Sequence, residues 1–284
     1  IVQPGTVLGG LTHEVSQETG LGAIKVVAPG CHDTASAVAA VPAQGKDFVY
    51  LSSGTWSLMG VETKRPVITD KSHAYRFTNE GGVCGTIRVL KNICGLWLIQ
   101  ECRRLWSQQG QKLDFDDLRK EAMAARPFAA LINPDDPAFA TPGDMPARIA
   151  AFCQRTGQKA PATRGAIVRT IYESLALRYR DVFAKLEDLT GRRHDVLHVV
   201  GGGARDTVLN QFTADALQHT VVAGPVEATA LGNILMQMLA NGDVRNLSEG
   251  RLLLQKSFPT TRYEPNLAAP WDEALARFQK VVVS

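Results

Sequence analysis

Val196-Leu197-His198-Val199-Val200-Gly201-Gly202-Gly203-Ala204-Arg205-Asp206 reads as a short buried strand that runs straight into three glycines. Thr207 to Leu217 follows as a helix, Val221-Val222 as a further short strand, and Glu227 to Leu239 as a second helix. Strands alternating with helices predict an α/β fold. Outward from this stretch, Gly165 to Leu189 is a long amphipathic helix with Ile167, Ile171, Leu175, Tyr179, Val182 and Leu186 on one side. Phe48 to Leu51 and Leu58 to Val61 are apolar runs joined by Ser52-Ser53-Gly54-Thr55-Trp56-Ser57, which predicts a hairpin. Asn92 to Trp106 carries apolar residues at helical spacing and Gly110 follows as a stop, so a helix is expected there. Asn133 to Met145, rich in Pro and Asp, is expected to be a loop. Near the start, Ile24 to Val27 is a strand that enters Ala28-Pro29-Gly30 and Cys31-His32-Asp33-Thr34. A helix then opens with Ala35, and Asp33 or Thr34 is its expected N-cap. Pro42-Ala43-Gln44-Gly45 breaks the pattern, and a domain boundary is expected there.

With 45% apolar and 21% charged residues over 284 positions, the chain has the profile of a folded domain with a large core. Its 31 basic and 28 acidic residues leave a charge of +3 with no basic run, which argues against a nucleic-acid partner. No apolar stretch reaches the length that spans a bilayer. Ile1-Val2-Gln3-Pro4-Gly5 lacks the charged-then-apolar order of a signal peptide and reads as the middle of a longer protein. The five cysteines, Cys31, Cys84, Cys94, Cys102 and Cys153, form no CxxC pair and sit at no zinc-ligand spacing with His. No metal cluster is expected, and the cysteines read as free thiols of a reducing cytoplasm.

Three constellations bear on chemistry. Glycines 201 to 203 lie between a strand and a helix, where backbone N–H groups approach an anion closely. The dinucleotide pattern GxGxxG would need Gly at 206, where Asp206 stands, and no GxxxxGK[ST] loop occurs. A plain strand-to-helix turn explains the glycines equally well. The hydroxylated turn Ser52 to Thr55 suits phosphate oxygens, although an ordinary β-turn has the same residues. Asp33, at a strand end in a Gly-flanked turn, is placed to accept a proton from a hydroxyl, or else merely caps the helix that follows.

Taken in order, Gly30 to Thr34, Leu51 to Met59, Thr78 to Gly82, Arg88 to Asn92, Gly95 to Leu98, Gly201 to Arg205 and Ala223 to Asn233 resemble the FGGY carbohydrate kinases over essentially the whole chain. That resemblance implies a ribonuclease-H-like (actin-like ATPase) lobe with a mixed sheet and flanking helices. Residues 1–43 would be the tail of an N-terminal sugar-binding lobe plus the hinge, and residues 44–284 the C-terminal ATP-binding lobe. Asp33 would be the base, His32, Thr34 and Asn92 would contact the sugar, and Thr55, Gln100 and Gly202 would serve ATP, with Mg2+ on its phosphates. The implied reaction is ATP-dependent phosphorylation of the 1-hydroxyl of L-rhamnulose in rhamnose breakdown. L-Fuculose or a pentulose is the alternative acceptor, and a non-catalytic actin-like nucleotide-binding module is the alternative of another class. The rest of the family's site should precede Ile1, so this chain alone is expected to be nearly inactive. A disulfide that some members carry has Cys153 at one partner's place and Thr170 at the other's, so no such bridge is expected.

Overall fold

Phe48, Tyr50 and Leu90 are buried in one apolar cluster, whereas Val49, Leu51 and Val89 are buried in another. Successive residues of a strand face opposite sides, so these segments must belong to a sheet covered on both faces. The computed structural model, which describes residues 1–45, 48–266 and 269–283, contains that sheet.

The chain begins with strand β1 (Val7–Gly10), helix α1 (His13–Thr19) and strand β2 (Lys25–Val27), followed by α2 (Asp33–Ala39). Next come β3 (Val49–Ser53), β4 (Trp56–Thr63), α3 (Asp70–Ala74), β5 (Thr78–Gly81) and β6 (Ile87–Cys94). Helices α4 (Trp97–Gln108), α5 (Phe115–Ala124), α6 (Met145–Arg155) and α7 (Arg164–Thr190) follow. The remainder is β7 (Val196–Val200), α8 (Thr207–Leu217), β8 (Thr220–Ala223), α9 (Ala228–Asn241), α10 (Leu247–Ser257), β9 (Thr261–Tyr263) and α11 (Ala269–Val283). Strands β1 and β2 pair antiparallel in a small ribbon, and the other seven form one sheet in the order β5-β6-β4-β3-β7-β8-β9. Strands β3, β7 and β8 are mutually parallel, and every other pairing is antiparallel. The sheet is therefore mixed, with helices on both faces.

Helices α2, α9 and α10 cover one face around Val38, Tyr50, Leu235 and Leu254. The other face carries the larger core, in which α7 is central and buries Ile171, Tyr172, Leu175 and Tyr179. Residues 28 and 35–43 are buried, and Ala37, Val38, Ala40, Val41 and Ala43 share their cluster with Phe48 and Val200. Gly232 of α9 lies where α2 crosses. A Cβ there would stand 1.7 Å from the Ser36 carbonyl oxygen, so the two helices pack at a distance that only glycine permits.

The hairpin, the long helix and the elements from Val196 to Leu239 fall close to where periodicity puts them. The helix expected over Asn92 to Trp106 starts later, at Trp97, because Asn92, Ile93 and Cys94 complete β6. There Asn92 pairs with Leu58, Ile93 with Ser57 and Cys94 with Trp56. The N-cap of α2 is also different from the expected one. His32 caps the helix, its Nδ1 accepting from the Thr34 N–H at 3.1 Å, and Asp33 is already the first helical residue. All five cysteines are unpaired, and Cys153 and Thr170 are both buried.

Candidate active site

Three parallel strands end side by side, and each ends in a turn rich in small residues. Strand β3 ends at Ser53 before Gly54-Thr55, β7 at Val200 before Gly201-Gly202-Gly203, and β8 at Ala223 before Gly224-Pro225. In open α/β sheets, ligands bind outside the carboxyl ends of such strands. Gly201, with φ +86°, donates its N–H to the Pro225 carbonyl at 3.2 Å, and Gly224 donates to Val199 at 2.8 Å. The glycine turn also rests directly on the hairpin: a Cβ on Gly203 would stand 2.0 Å from Ser53 Oγ. Gly202, between them, is exposed with nothing within 4 Å of where its Cβ would be, so its backbone is open to a ligand. Asp206, which occupies the place of the third glycine of a dinucleotide loop, has a structural task. It caps α8 by accepting from Leu209 N–H at 3.0 Å, and it accepts the Tyr172 hydroxyl at 2.6 Å.

The hairpin is held from beneath and from the side. Exposed Thr55 donates its hydroxyl to Gln100 Oε1 on α4 at 3.1 Å, so the two residues assigned to ATP from the sequence meet. The carbonyls of Gly54 and Thr55 accept from Leu96 and Trp97 N–H at 3.1 Å each, and so serve the amides at the start of α4. Beneath the turn, Ser57 Oγ lies 2.7 Å from the hydroxyl of Tyr179, which is fully buried on α7. Burial pushes the Tyr179 phenol above its usual range, against hydrogen bonding with Ser57 and Ser53 that pulls it back. This contact was not legible in the sequence. Ser57 belonged to a hairpin and Tyr179 to an apolar stripe, with 122 positions between them.

Asp33 stands at the first turn of α2, exposed, and among the described residues its carboxylate makes no hydrogen bond or ion pair. Since His32 does the capping, the carboxylate is left unspent. Its main-chain oxygen accepts the Thr229 hydroxyl at 3.4 Å, tying it to the first turn of α9, which follows β8 and the Gly224-Pro225 turn. Thus α2 presents Asp33 at the same end of the sheet as the two turns. His32 is exposed beside it, whereas Thr34 is buried. Asn92, exposed on β6, shares a sheet face with Leu58 and Leu90, whose side chains pack with α2, and also borders a cavity of about 640 Å³. Its neighbour Lys91 points to the other face, where burial lowers its ammonium pKa to about 8 and its Nζ donates to the Tyr75 carbonyl at 2.7 Å. Exposed Arg205 and Glu227, to which the sequence reading gave no role, flank the glycine turn 3.7 Å apart.

Residues 49–241 match the C-terminal domain of the FGGY family of carbohydrate kinases. The chain belongs to that family. Among curated relatives, the rhamnulokinase of Bacteroides thetaiotaomicron is 53% identical over 281 residues, covering 99% of this chain and 57% of that protein. The rhamnulokinase of Bacillus subtilis is 43% identical over 265 residues, covering 93% of this chain and 54% of its own length. This FGGY chain therefore spans just over half the length of the curated relatives it matches. Among solved structures, the xylulose kinase of Rhodospirillum rubrum superposes with a TM-score of 0.72 at 18% identity, covering 99% of this chain and 56% of its own. The gluconate kinase of Lactobacillus acidophilus gives 0.73 at 15% identity, with the same coverage. At such identities the likeness is one of fold, and the fold is the actin-like one of FGGY sugar kinases.

Proposed function

We propose that the protein carrying this chain phosphorylates the 1-hydroxyl of L-rhamnulose with Mg-ATP, and that this chain holds the nucleotide turns and the catalytic base. The observation that carries the reading is the unspent carboxylate of Asp33, set at the same end of the sheet as the Gly201–Gly203 and Ser53–Thr55 turns. The two named relatives above, both called rhamnulokinase, support L-rhamnulose as the acceptor rather than L-fuculose or a pentulose.

Bound nucleotide would supply the phosphoryl group, with magnesium arriving on its phosphates as part of the substrate. Among the described residues no group of three His, Cys, Asp or Glu side chains is arranged to hold a metal. The open backbone at Gly202 fits a nucleotide's close approach, and Thr55 with Gln100 fits its polar edge. His32 and Asn92 orient the sugar, and Thr34, being buried, acts through its backbone. Asp33 accepts the hydroxyl proton as the oxygen bonds to phosphorus and ADP departs. Positioning supplies most of the rate in phosphoryl transfer, and a carboxylate suffices as base. Residues 1–43 would link this lobe to a preceding sugar-binding lobe, with 44–284 as the nucleotide lobe. Without that partner lobe, residues 1–284 would turn over little. The cytoplasm is the proposed location; no described helix is long and apolar enough to cross a membrane.

ADP release by the full-length protein with L-rhamnulose, L-fuculose or D-xylulose tests the assignment. Turnover with L-rhamnulose at least tenfold above the others supports it, and a preference for another ketose overturns the substrate.

A further inference from the structure

Strand β6 has eight residues and its neighbour β5 has four, and the pairing of Thr78 with Leu90 is the last between them. Residues 91–94 are left without a strand partner on that side. The Pro- and Asp-rich stretch from Asn133 covers this open edge, with Asp135 Oδ1 accepting from the Cys94 N–H at 2.8 Å. Between that stretch and residues 74–78 remains the cavity of about 640 Å³, within the range of small-molecule sites, roughly 300–1,000 Å³. Of the residues assigned to sugar or nucleotide, only Asn92 borders it; Asp33, Thr55, Gln100 and Gly202 do not.

The charges around this cavity do not cancel. Arg178 pairs with Asp135 and Asp181 at 2.7 Å each, and Lys185 pairs with Asp181 at 2.8 Å. Asp136, the other lining carboxylate, pairs with Arg155 at 2.7 Å. Those three cations and three anions sum to zero, and two lining cations are left over, Arg76 and Lys91. Among the described residues the Arg76 side chain makes no hydrogen bond or ion pair. Lys91 is only 8% exposed, and its ammonium meets the Tyr75 carbonyl at 2.7 Å and the face of Phe77, 5.8 Å from the ring centroid, but no carboxylate. Burying an ammonium without a counter-ion is costly. Burial first, and then the Arg178 charge, accordingly lower the Lys91 pKa to about 8. The chain thus supplies a buried cation with N–H donors to spare, and does not supply its anion.

We propose that this cavity binds a small oxyanion carrying two negative charges, seated between Lys91 and Arg76. Two leftover cations match a dianion in charge. A phosphate and a dicarboxylate share the chemistry that these groups recognise, since both offer oxygen acceptors to ammonium and guanidinium donors in charge-assisted hydrogen bonds. The side-chain amide of Asn92, which makes no hydrogen bond among the described residues, borders the same space and adds a neutral donor.

The test is competitive acetylation of the full-length protein by a trace of acetic anhydride, read lysine by lysine by mass spectrometry, so it does not depend on kinase activity. Inorganic phosphate and malonate are titrated separately, each against sodium chloride at matched ionic strength. Exposed Lys159 serves as the internal reference. Only the neutral amine attacks the anhydride, and an anion beside Lys91 favours its charged form. Acetylation of Lys91 should therefore slow saturably, by about fivefold or more, with at least one of the two anions. The anion that protects names the class. Arg76→Gln should abolish the protection, and Arg76→Lys, which keeps the charge, should retain it. Slowing no greater than at Lys159 with both anions, or undiminished protection in Arg76→Gln, overturns the site. Protection lost equally in Arg76→Lys overturns the charge pairing on which the site rests.

Discussion

Gly232→Ala sets two effects of opposite sign against each other. Alanine in a helix interior is better than glycine by about 1 kcal/mol, so α9 alone would gain. The new methyl, however, would stand 1.7 Å from the Ser36 carbonyl oxygen and 2.5 Å from its carbon, and both are backbone. Restoring an ordinary contact requires α2 to retreat by roughly 1.5 Å, and overpacking of this kind costs about 1–3 kcal/mol. The backbone term wins, because a helix wedged between α9 and β3 has no side chain to rotate out of the way. A net loss of about 1 kcal/mol, a cost of about 2 against a gain of about 1, lowers the melting temperature by about 2–4 °C. Activity falls further than stability, since Asp33 rides on α2 and a 1 Å misplacement can cost about 100-fold in rate. Thermal melting and steady-state kinetics of the full-length protein read the two effects separately. A variant that melts at or above the parent with kcat unchanged would refute the reasoning, and would mean that α2 and α9 slide freely.

Other expectations follow from single contacts. Tyr179→Phe strips the buried hydroxyl from Ser57 and should cost about 1 kcal/mol of stability and raise KM for ATP severalfold, with KM for the sugar unchanged; equal shifts in both KM values would detach Tyr179 from the nucleotide turn. Thr55→Ala removes the hydroxyl that pairs with Gln100, and KM for ATP should rise about tenfold by substrate titration, corresponding to about 1.4 kcal/mol. Burial, aided by the Arg251 charge, lowers the His198 pKa from 6.5 to about 4. The unfolded chain therefore takes up a proton that the folded one refuses, and stability is lost as pH falls from 6.5 to 4, by up to about 3 kcal/mol. Urea titrations at pH 7 and pH 4.5 should show a smaller difference for His198→Leu than for the parent, and identical differences would remove His198 from the acid sensitivity.

Much of the fold was legible because periodicity and punctuation agreed. The run from Val196 to Leu239 has strands that are mostly Val, Leu and Ala, glycines at their ends and helices behind, as suits a buried parallel sheet. The segment around Asn92 is ambiguous in sequence, since Ile93, Leu96 and Ile99 satisfy a helix while Val89, Lys91 and Ile93 alternate as a strand. Pairing with β4 decides for the strand, and that partner is remote in sequence. The cap of α2 departs from expectation for a related reason: Asp is a common cap, yet the His32 side chain reaches the Thr34 amide. Within the site, residue types suggested Asp33, the hydroxylated turn and the glycines, and the structure sets them at one end of the sheet. What the sequence could not supply were contacts across the fold, such as Ser57 with Tyr179, Gly203 on Ser53 and Gly232 on Ser36. Each depends on which faces meet, and a linear pattern does not carry that.

The most direct test is ADP release by the full-length protein with Mg-ATP and L-rhamnulose, beside Asp33→Asn, with ATP affinity of both measured by calorimetry. The account predicts ATP binding unchanged within a factor of two and turnover lower by about 10²–10⁴ in the variant, the contribution of a general base. Turnover within tenfold of the parent would contradict it, and would leave the carboxylate at the head of α2 without the role assigned to it.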